Sequence, residues 1–342
     1  MASLGLTRRA AVVGAGASVL AAMELRRVAG TTEKRAMTRV RIINTAGNGN
    51  MILQELLKSQ GILQSLGLEA THENVADGAK ATAALVNGTA DVCMLAGFGP
   101  LLPEIEAGAR MKVIGGGLLL APQAVYAKDP AIRQLSDLAG RTVGTGVMGA
   151  ALHQKMVALL RKKGVDPASV RFVNVGGTVN VFKAVVAGTV DAGPADLDVY
   201  ADQAHYGVHA LADGNLWTEM PEYTSQASYT TDAAIAGQRV AIVRALAAYA
   251  KLFRFVQQPQ SRAAWVAASA RVLGTPAGAG PDPQWTFFQE AQPFPPRIAL
   301  SPERVRYIQE LNVTMGLQKQ VLPFESVADM SLAEEALRLL GA

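Results

Sequence analysis

Six residues, Gly144-Thr145-Gly146-Val147-Met148-Gly149, carry the spacing GxGxxG between a stretch that reads as a strand, Arg141 to Thr145, and one that reads as a helix, Ala150 to Lys163. In that setting glycines permit a tight turn and bring backbone N–H groups at a helix start against a phosphate, which is how a dinucleotide is held. The same chemistry asks for a carboxylate at the end of the next strand to bind the ribose. That strand, Val170 to Val175, ends Asn174-Val175-Gly176, and Asp166 lies ahead of it instead. The motif therefore reads as a glycine-rich turn. A nucleotide-dependent oxidoreductase using Gly144 to Gly149 is the weaker alternative.

Further turns have groups suited to holding a small ligand. Asn48, Gly49 and Asn50 follow a strand at Arg39 to Asn44. Their amides donate and accept, and the helix they open leaves N–H groups free for an anion, although both asparagines could simply cap that helix. Gly97-Phe98-Gly99 ends a strand at Asp91 to Ala96, where glycines admit a ligand to the backbone and Phe98 can cover an apolar face. Met148 and Gly149 mirror the Asn48 turn, and Met148 suits a core as well as a pocket. Thr178 adds a hydroxyl at the helix start after Gly176-Gly177. Asp196 ends a strand, facing either a basic side chain or a ligand amine or hydroxyl, and Tyr126 is a hinge or pocket candidate. Few cations stand among these positions, so anion binding would rest on backbone amides, and a neutral or aromatic ligand fits equally well.

Catalytic constellations are poor. His72, His153, His205 and His209 form no metal-ligand spacing with carboxylates, no serine sits in a nucleophile elbow, and Cys93 falls in an apolar strand where it acts as a small apolar residue. No catalytic residue, metal or cofactor is expected.

The elements that must position these turns are duplicated. Ala84 to Val92, ALVNGTADV, returns as Ala184 to Ala192, AVVAGTVDA, with five of the nine positions identical. Around the first copy run a helix from Met51 to Ser59, a strand from Leu68 to Val75, a helix from Ala79 to Val86 and a strand from Met111 to Leu120 broken by three glycines. Around the second run the strand and helix already named, the strand Val170 to Val175, a helix from Val181 to Ala187 and a strand from Asp191 to Ala195. Strands alternating with helices imply parallel sheets with helices on their faces, and two such units imply a cleft between them. After an extended stretch at Thr224 to Tyr229, Val240 to Val256, Ser261 to Val272, Pro302 to Gly316 and Ser331 to Leu340 read as helices, with a loop at Pro276 to Pro283.

At 342 residues, half of them apolar, the chain suits two cores. The net charge of +4 owes three charges to the first 30 residues, where Arg8, Arg9, Arg26 and Arg27 outweigh Glu24, so about +1 remains. That balance, with sparse aromatics, excludes a nucleic-acid partner. Thr7-Arg8-Arg9 followed by small and apolar residues and then Val28-Ala29-Gly30 has the layout of an export signal over residues 1–30, its adjacent arginines pointing to a twin-arginine type; a cytoplasmic protein is implied if this leader is not a signal.

The segments ALVNGTADV and AVVAGTVDA, the stretch LSDLAGRTVGTGVMGAALHQKMVALLRKKGVDPASVRFVNV and the C-terminal VLPFESVADMSLAEEAL together resemble the substrate-binding proteins of ABC importers in the aliphatic sulfonate, taurine, nitrate and thiamine-pyrimidine-precursor group. The resemblance runs from about Arg39 to Leu340 and implies an α/β, two-lobed type II periplasmic binding fold. Each lobe would be a mostly parallel sheet flanked by helices: 38–121 with 222–342 as lobe 1, the C-terminal helices packed upon it, and 122–221 as lobe 2. The crossings would lie near Ala121 to Lys128 and Pro221 to Tyr229. The implied function is a monomeric periplasmic receptor that closes on a small organic ligand, a sulfonate-like anion, pyrimidine or aromatic acid, and presents it to a membrane permease. Where sulfonate binders often carry tryptophans and hydroxyls, this chain has Gly193-Pro194-Ala195-Asp196 and Met148-Gly149-Ala150-Ala151, which departs from sulfonate specificity. Thiamine-pyrimidine-synthesis relatives share this fold, so an enzyme remains the alternative.

Overall fold

Ten strands fall into two five-stranded sheets in the computed structural model, which describes residues 37–200, 202–274 and 282–341. The expected leader, and most of the loop expected at Pro276 to Pro283, lie outside the described residues. The first half builds β1 (Thr38–Thr45), α1 (Asn48–Ser59), β2 (Leu68–Val75), α2 (Gly78–Val86), β3 (Val92–Ala96), α3 (Leu101–Glu106) and β4 (Met111–Gly116). The middle builds β5 (Gln123–Ala127), β6 (Thr142–Thr145), α4 (Ala151–Lys162), β7 (Arg171–Asn174), α5 (Thr178–Ala187), β8 (Ala192–Asp196) and β9 (His209–Asn215). The last third builds β10 (Ala227–Thr231), α6 (Asp232–Val256), α7 (Arg262–Leu273), α8 (Pro283–Ala291), α9 (Pro302–Thr314) and α10 (Ser331–Leu339).

The sheet orders are β2-β1-β3-β10-β4 and β7-β6-β8-β5-β9. The β1-α1-β2-α2-β3 and β6-α4-β7-α5-β8 units therefore have one plan, with the first strand of each paired in parallel to the other two. Each sheet departs from the parallel expectation on one side. β10 runs antiparallel to both β3 and β4, and β5 runs antiparallel to both β8 and β9. Each of these strands enters its sheet directly from a crossing, without the helical detour that a parallel neighbour requires.

The repeated residues do repeated work. The Thr89 and Thr189 hydroxyls each donate at 3.1 Å to the carbonyl five residues back, Ala84 or Ala184. The Asp91 and Asp191 carboxylates each accept a backbone N–H of the neighbouring strand at 2.7 Å, from Arg41 N within β1 and from Thr142 N at the start of β6. In the first copy Arg41 adds its guanidinium, 2.6 Å from Asp91 Oδ1.

The crossings are short. Gly117 N donates to Gln226 O at 3.1 Å and Gln226 N to Leu118 O at 2.9 Å, tying the two together, and Arg304 of α9 reaches Pro221 O at 3.3 Å. The first crossing is narrower than expected because Gln123 to Ala127 forms the buried strand β5. α6 packs Tyr249, Phe253 and Leu246 on the first sheet, α7 lies on α1, and α10 on α6. α8 reaches toward the other sheet, with Phe287 edge-on to Trp217 at 5.6 Å. A second apolar cluster is continuous from Phe98 and Leu101 through Met156 and Leu159 to Val305 and Ile308.

Candidate functional site

Between the sheets lies a cleft of about 540 Å³, bounded by the turns at the carboxyl ends of β1, β3, β6 and β8. That size is usual for a small-molecule site, and strand carboxyl ends are where open α/β sheets place their ligands. The starts of α1, α2, α4 and α5 all reach it, so free N–H groups and the positive ends of four helix dipoles converge there. A hollow of about 520 Å³ on the outer edge of β2 is lined by the first sheet's side alone.

Asn48, Gly49, Asn50, Gly97, Met148, Gly149, Thr178 and Asp196 all line the cleft. Asn48 Nδ2 reaches across it to Asp198 Oδ2 at 3.1 Å. Neither asparagine caps α1; Gly47 holds that position without a side-chain bond. Asn50 instead turns inward and donates to Thr45 O at 2.9 Å, fixing the end of β1. Gly49 packs so closely on the Gln284 amide that a side chain there would overlap it. Gly97 faces Ala151 across the cleft, and a Cβ on it would come within 2.7 Å of the Ala151 methyl. Gly149 sits at φ +82°, where a side chain is strained, and its N–H donates to His153 Nδ1 at 3.0 Å. That bond leaves the imidazole neutral, and burial lowers its pKa in the same direction.

Two expected residues stand elsewhere. Phe98 is 1% exposed and belongs to the apolar cluster behind the cleft, because the backbone turns at Gly97 and sends the following side chain away from the opening. Tyr126 is fully buried on β5, edge-on to Phe182 at 6.0 Å, and does not line the cleft.

Among the described residues Asp196 forms no ion pair with a basic side chain. Its Oδ1 accepts from Gln123 Nε2 at 2.7 Å and its Oδ2 from the Thr178 hydroxyl at 2.6 Å. Because the Gln123 amide nitrogen is committed to Asp196, its oxygen faces the other way and accepts from Lys155 Nζ at 2.9 Å. Lys155 also donates to Ser225 Oγ at 3.0 Å on the second crossing. This lysine is buried, lines the cleft, and has its pKa pulled down to about 8 by burial against a partial opposing effect of Asp196. Burial and Asp196 together raise the pKa of Asp198.

Lys155, Gln123, Ser225 and Asp198 escape the reading of turns. One signal for Lys155 exists: Ala151, Lys155 and Leu159 follow at i, i+4 and i+8, placing a charge within an apolar helical stripe.

The GxGxxG turn does join a strand to a helix, yet β7 brings Asn174 to the cleft rather than a carboxylate. Asp166 caps a short 3₁₀ turn through Ala168 N at 2.9 Å. Cys93 is buried on β3 and its thiol is pushed up to about 12 by burial. Among the described residues no cluster of His, Cys, Asp and Glu could hold a metal ion, and no helix is long and apolar enough to cross a membrane.

Solved structures share this architecture. They include the periplasmic aliphatic sulphonate binding protein SsuA from Escherichia coli, at 19% identity and TM-score 0.66, covering 85% of this chain and 92% of that one. The alkanesulfonate-binding protein SsuA from Xanthomonas axonopodis pv. citri, bound to MOPS, matches at 19% identity and TM-score 0.64 over 88% of this chain and 97% of that one. The desulfurization enzyme DSZB matches at 16% identity and TM-score 0.58 over 88% and 99%. At these identities the likeness shows the periplasmic binding protein fold. No curated protein sequence matches the chain. A family model described as NMT1/THI5 like matches residues 56–262, more than half of the sequence. With the duplicated α/β plan and the interlobar cleft in place, that match identifies the chain as a member of the NMT1/THI5-like family.

Proposed function

We propose that the protein is the periplasmic solute-binding subunit of an ABC importer, acting as a monomer that hands its ligand to a membrane permease after export on the leader at residues 1–30. Its two lobes, 38–121 with 222–342 and 122–221, close on a small organic molecule, a sulfonate-like anion, a pyrimidine or an aromatic acid. The observation that carries this reading is a cleft walled by equivalent turns of both copies and bridged by Asn48 and Asp198. A ligand touching both walls favours the closed arrangement by the free energy of the contacts made only there. A micromolar receptor needs about −8 kcal/mol, within reach of a handful of such contacts.

The fold of DSZB supports turnover as the rival reading, since fold alone does not decide function. Cys93 gives that rival no support, because a fully buried, strongly protonated thiol is a poor nucleophile. Thermal-shift screening of the purified protein against sulfonates, nitrate, pyrimidines and aromatic carboxylates, with product analysis on every hit, tests the proposal. A ligand that raises the melting temperature, returns unchanged and compacts the protein in solution scattering supports a receptor. A hit converted to product overturns it.

A further inference from the structure

We infer that Lys155 is the counter-charge for an anionic group on the ligand and so determines which molecules the cleft accepts. This rests on the receptor reading and deepens it. Lys155 Nζ carries three N–H donors, and its two bonds go to neutral oxygens, Gln123 Oε1 and Ser225 Oγ. No carboxylate among the described residues lies within ion-pair distance of it. Asp196 is kept from it by the intervening Gln123 amide, and both Asp196 oxygens are already taken by Gln123 and Thr178.

A buried ammonium normally has a bonded counter-ion, because desolvating an unpaired charge is strongly unfavourable. Here the lysine lines the cleft, and the ligand-facing space is where the remaining donor can be met. The position is also mechanically informative. Gln123 opens the strand that follows the first crossing, and Ser225 lies on the second crossing, so one ammonium gathers both connections between the sheets at the cleft floor. An anion bound to Lys155 would be read at the place where the two halves of the molecule join.

The test uses the full chain, calorimetric titration with ethanesulfonate and benzoate as anionic probes and ethyl methyl sulfone as an uncharged one, and Lys155→Met, which keeps the length and apolar stem. The expected result is that the native protein binds an anionic probe but not the sulfone, and that Lys155→Met weakens that binding at least about tenfold, the loss of one charge-assisted hydrogen bond. The melting temperature of the ligand-free variant should hold or rise, since a buried charge awaiting its partner has been removed. An anion bound equally well by native protein and variant overturns the role of Lys155 and leaves the receptor reading intact. Binding of the sulfone alone, or of none of the three probes, also overturns the anionic ligand. A ligand-free variant that melts several degrees lower would make Lys155 a structural group and overturn the inference as well. Conversion of any probe to product would instead overturn the receptor reading.

Discussion

Gln154 Nε2 donates to Asn312 Oδ1 at 2.7 Å, coupling α4 of the second copy to α9. Asn312 in turn gives its own amide to Gly99 O at 2.8 Å and to Gln318 Oε1 at 3.3 Å, and Gln318 donates to Gln309 Oε1 at 2.8 Å. All four amide side chains are buried, so the chain of bonds fixes how the cleft-forming elements are held from behind. It is incomplete at one end, where Gln154 Oε1 is buried without a partner. Asn312→Ala should therefore be costly, stranding Gln154 Nε2 and Gln318 Oε1 while Gly99 O keeps only the Leu102 N–H, and lowering stability by about 2–3 kcal/mol. Gln154→Leu removes the unsatisfied oxygen together with the bond and should lower stability by less than Asn312→Ala. Urea unfolding of the two variants checks the order, and equal or reversed losses would dismiss the network as the reason.

The Gly97 and Ala151 surfaces meet without room for a methyl group, one from the end of β3 and the other from the start of α4. Gly97→Ala should hold the cleft walls apart by adding a methyl within 2.7 Å of the Ala151 methyl. Solution scattering in the presence of a ligand should then show a larger radius of gyration than for the native protein, and affinity should fall by about tenfold or more, equivalent to roughly 1–2 kcal/mol of overpacking. Restoring the space from the other side with Ala151→Gly in the same chain should recover most of the affinity. A double variant no better than Gly97→Ala would locate the defect in the β3 turn rather than in the approach of the two walls.

The two aspartates of the repeat allow a matched comparison. Asp91 accepts a backbone N–H and two bonds from Arg41, whereas Asp191 accepts Thr142 N with Arg141 4.0 Å away. Arg41 is half exposed, so its ion pair adds modestly to the backbone bond. Asp91→Ala should lower stability by about 2 kcal/mol and Asp191→Ala by about 1 kcal/mol. Chemical denaturation of both variants reads the difference, and a larger loss at Asp191 would contradict the roles assigned.

The same repeat explains how much of the fold is legible in the sequence. Thr and Asp recur because each copy needs a hydroxyl to close its helix and a carboxylate to hold the neighbouring strand, a local requirement that leaves its mark on local sequence. β5 and β9 leave no such mark. β5 looks like a connecting stretch because its strand character comes from the neighbours β8 and β9 on either side, not from alternation of its own residues. The turns at strand ends are readable from glycine spacing, and eight of the ten chosen positions do reach the cleft. Phe98 and Tyr126 fail because the direction of a side chain depends on how the backbone leaves its strand, which spacing does not record. Lys155 fails for a different reason. A lysine on a helix is ordinarily solvated, and only the packing of α4 between the sheet and the crossings makes it a buried cleft group.

That burial has a pH signature with a definite sign. The Lys155 pKa is lowered from 10.5 to about 8 in the folded protein, so between these values the unfolded chain holds a proton that the native one has released. Stability from this group then rises as pH rises through about 8, because stability increases with pH wherever the unfolded state binds more protons. The groups facing Lys155 are Asp196, acting through Gln123, and the Tyr223 ring on the second crossing, 6.0 Å from Nζ. Tyr223 works in the opposite sense. Burial raises its pKa, as it does for Tyr126, Tyr229 and Tyr249, so their contribution is complete below pH 10 and is lost above it. The two trends separate if measurement stops short of tyrosine ionisation and each pH is read as native minus Lys155→Met. From pH 7.5 to 9.5 the native protein should gain about 2 kcal/mol relative to the variant in urea unfolding. A flat difference over that range would mean that the ammonium is already solvated or paired, and a falling one that its charged form is what the fold prefers.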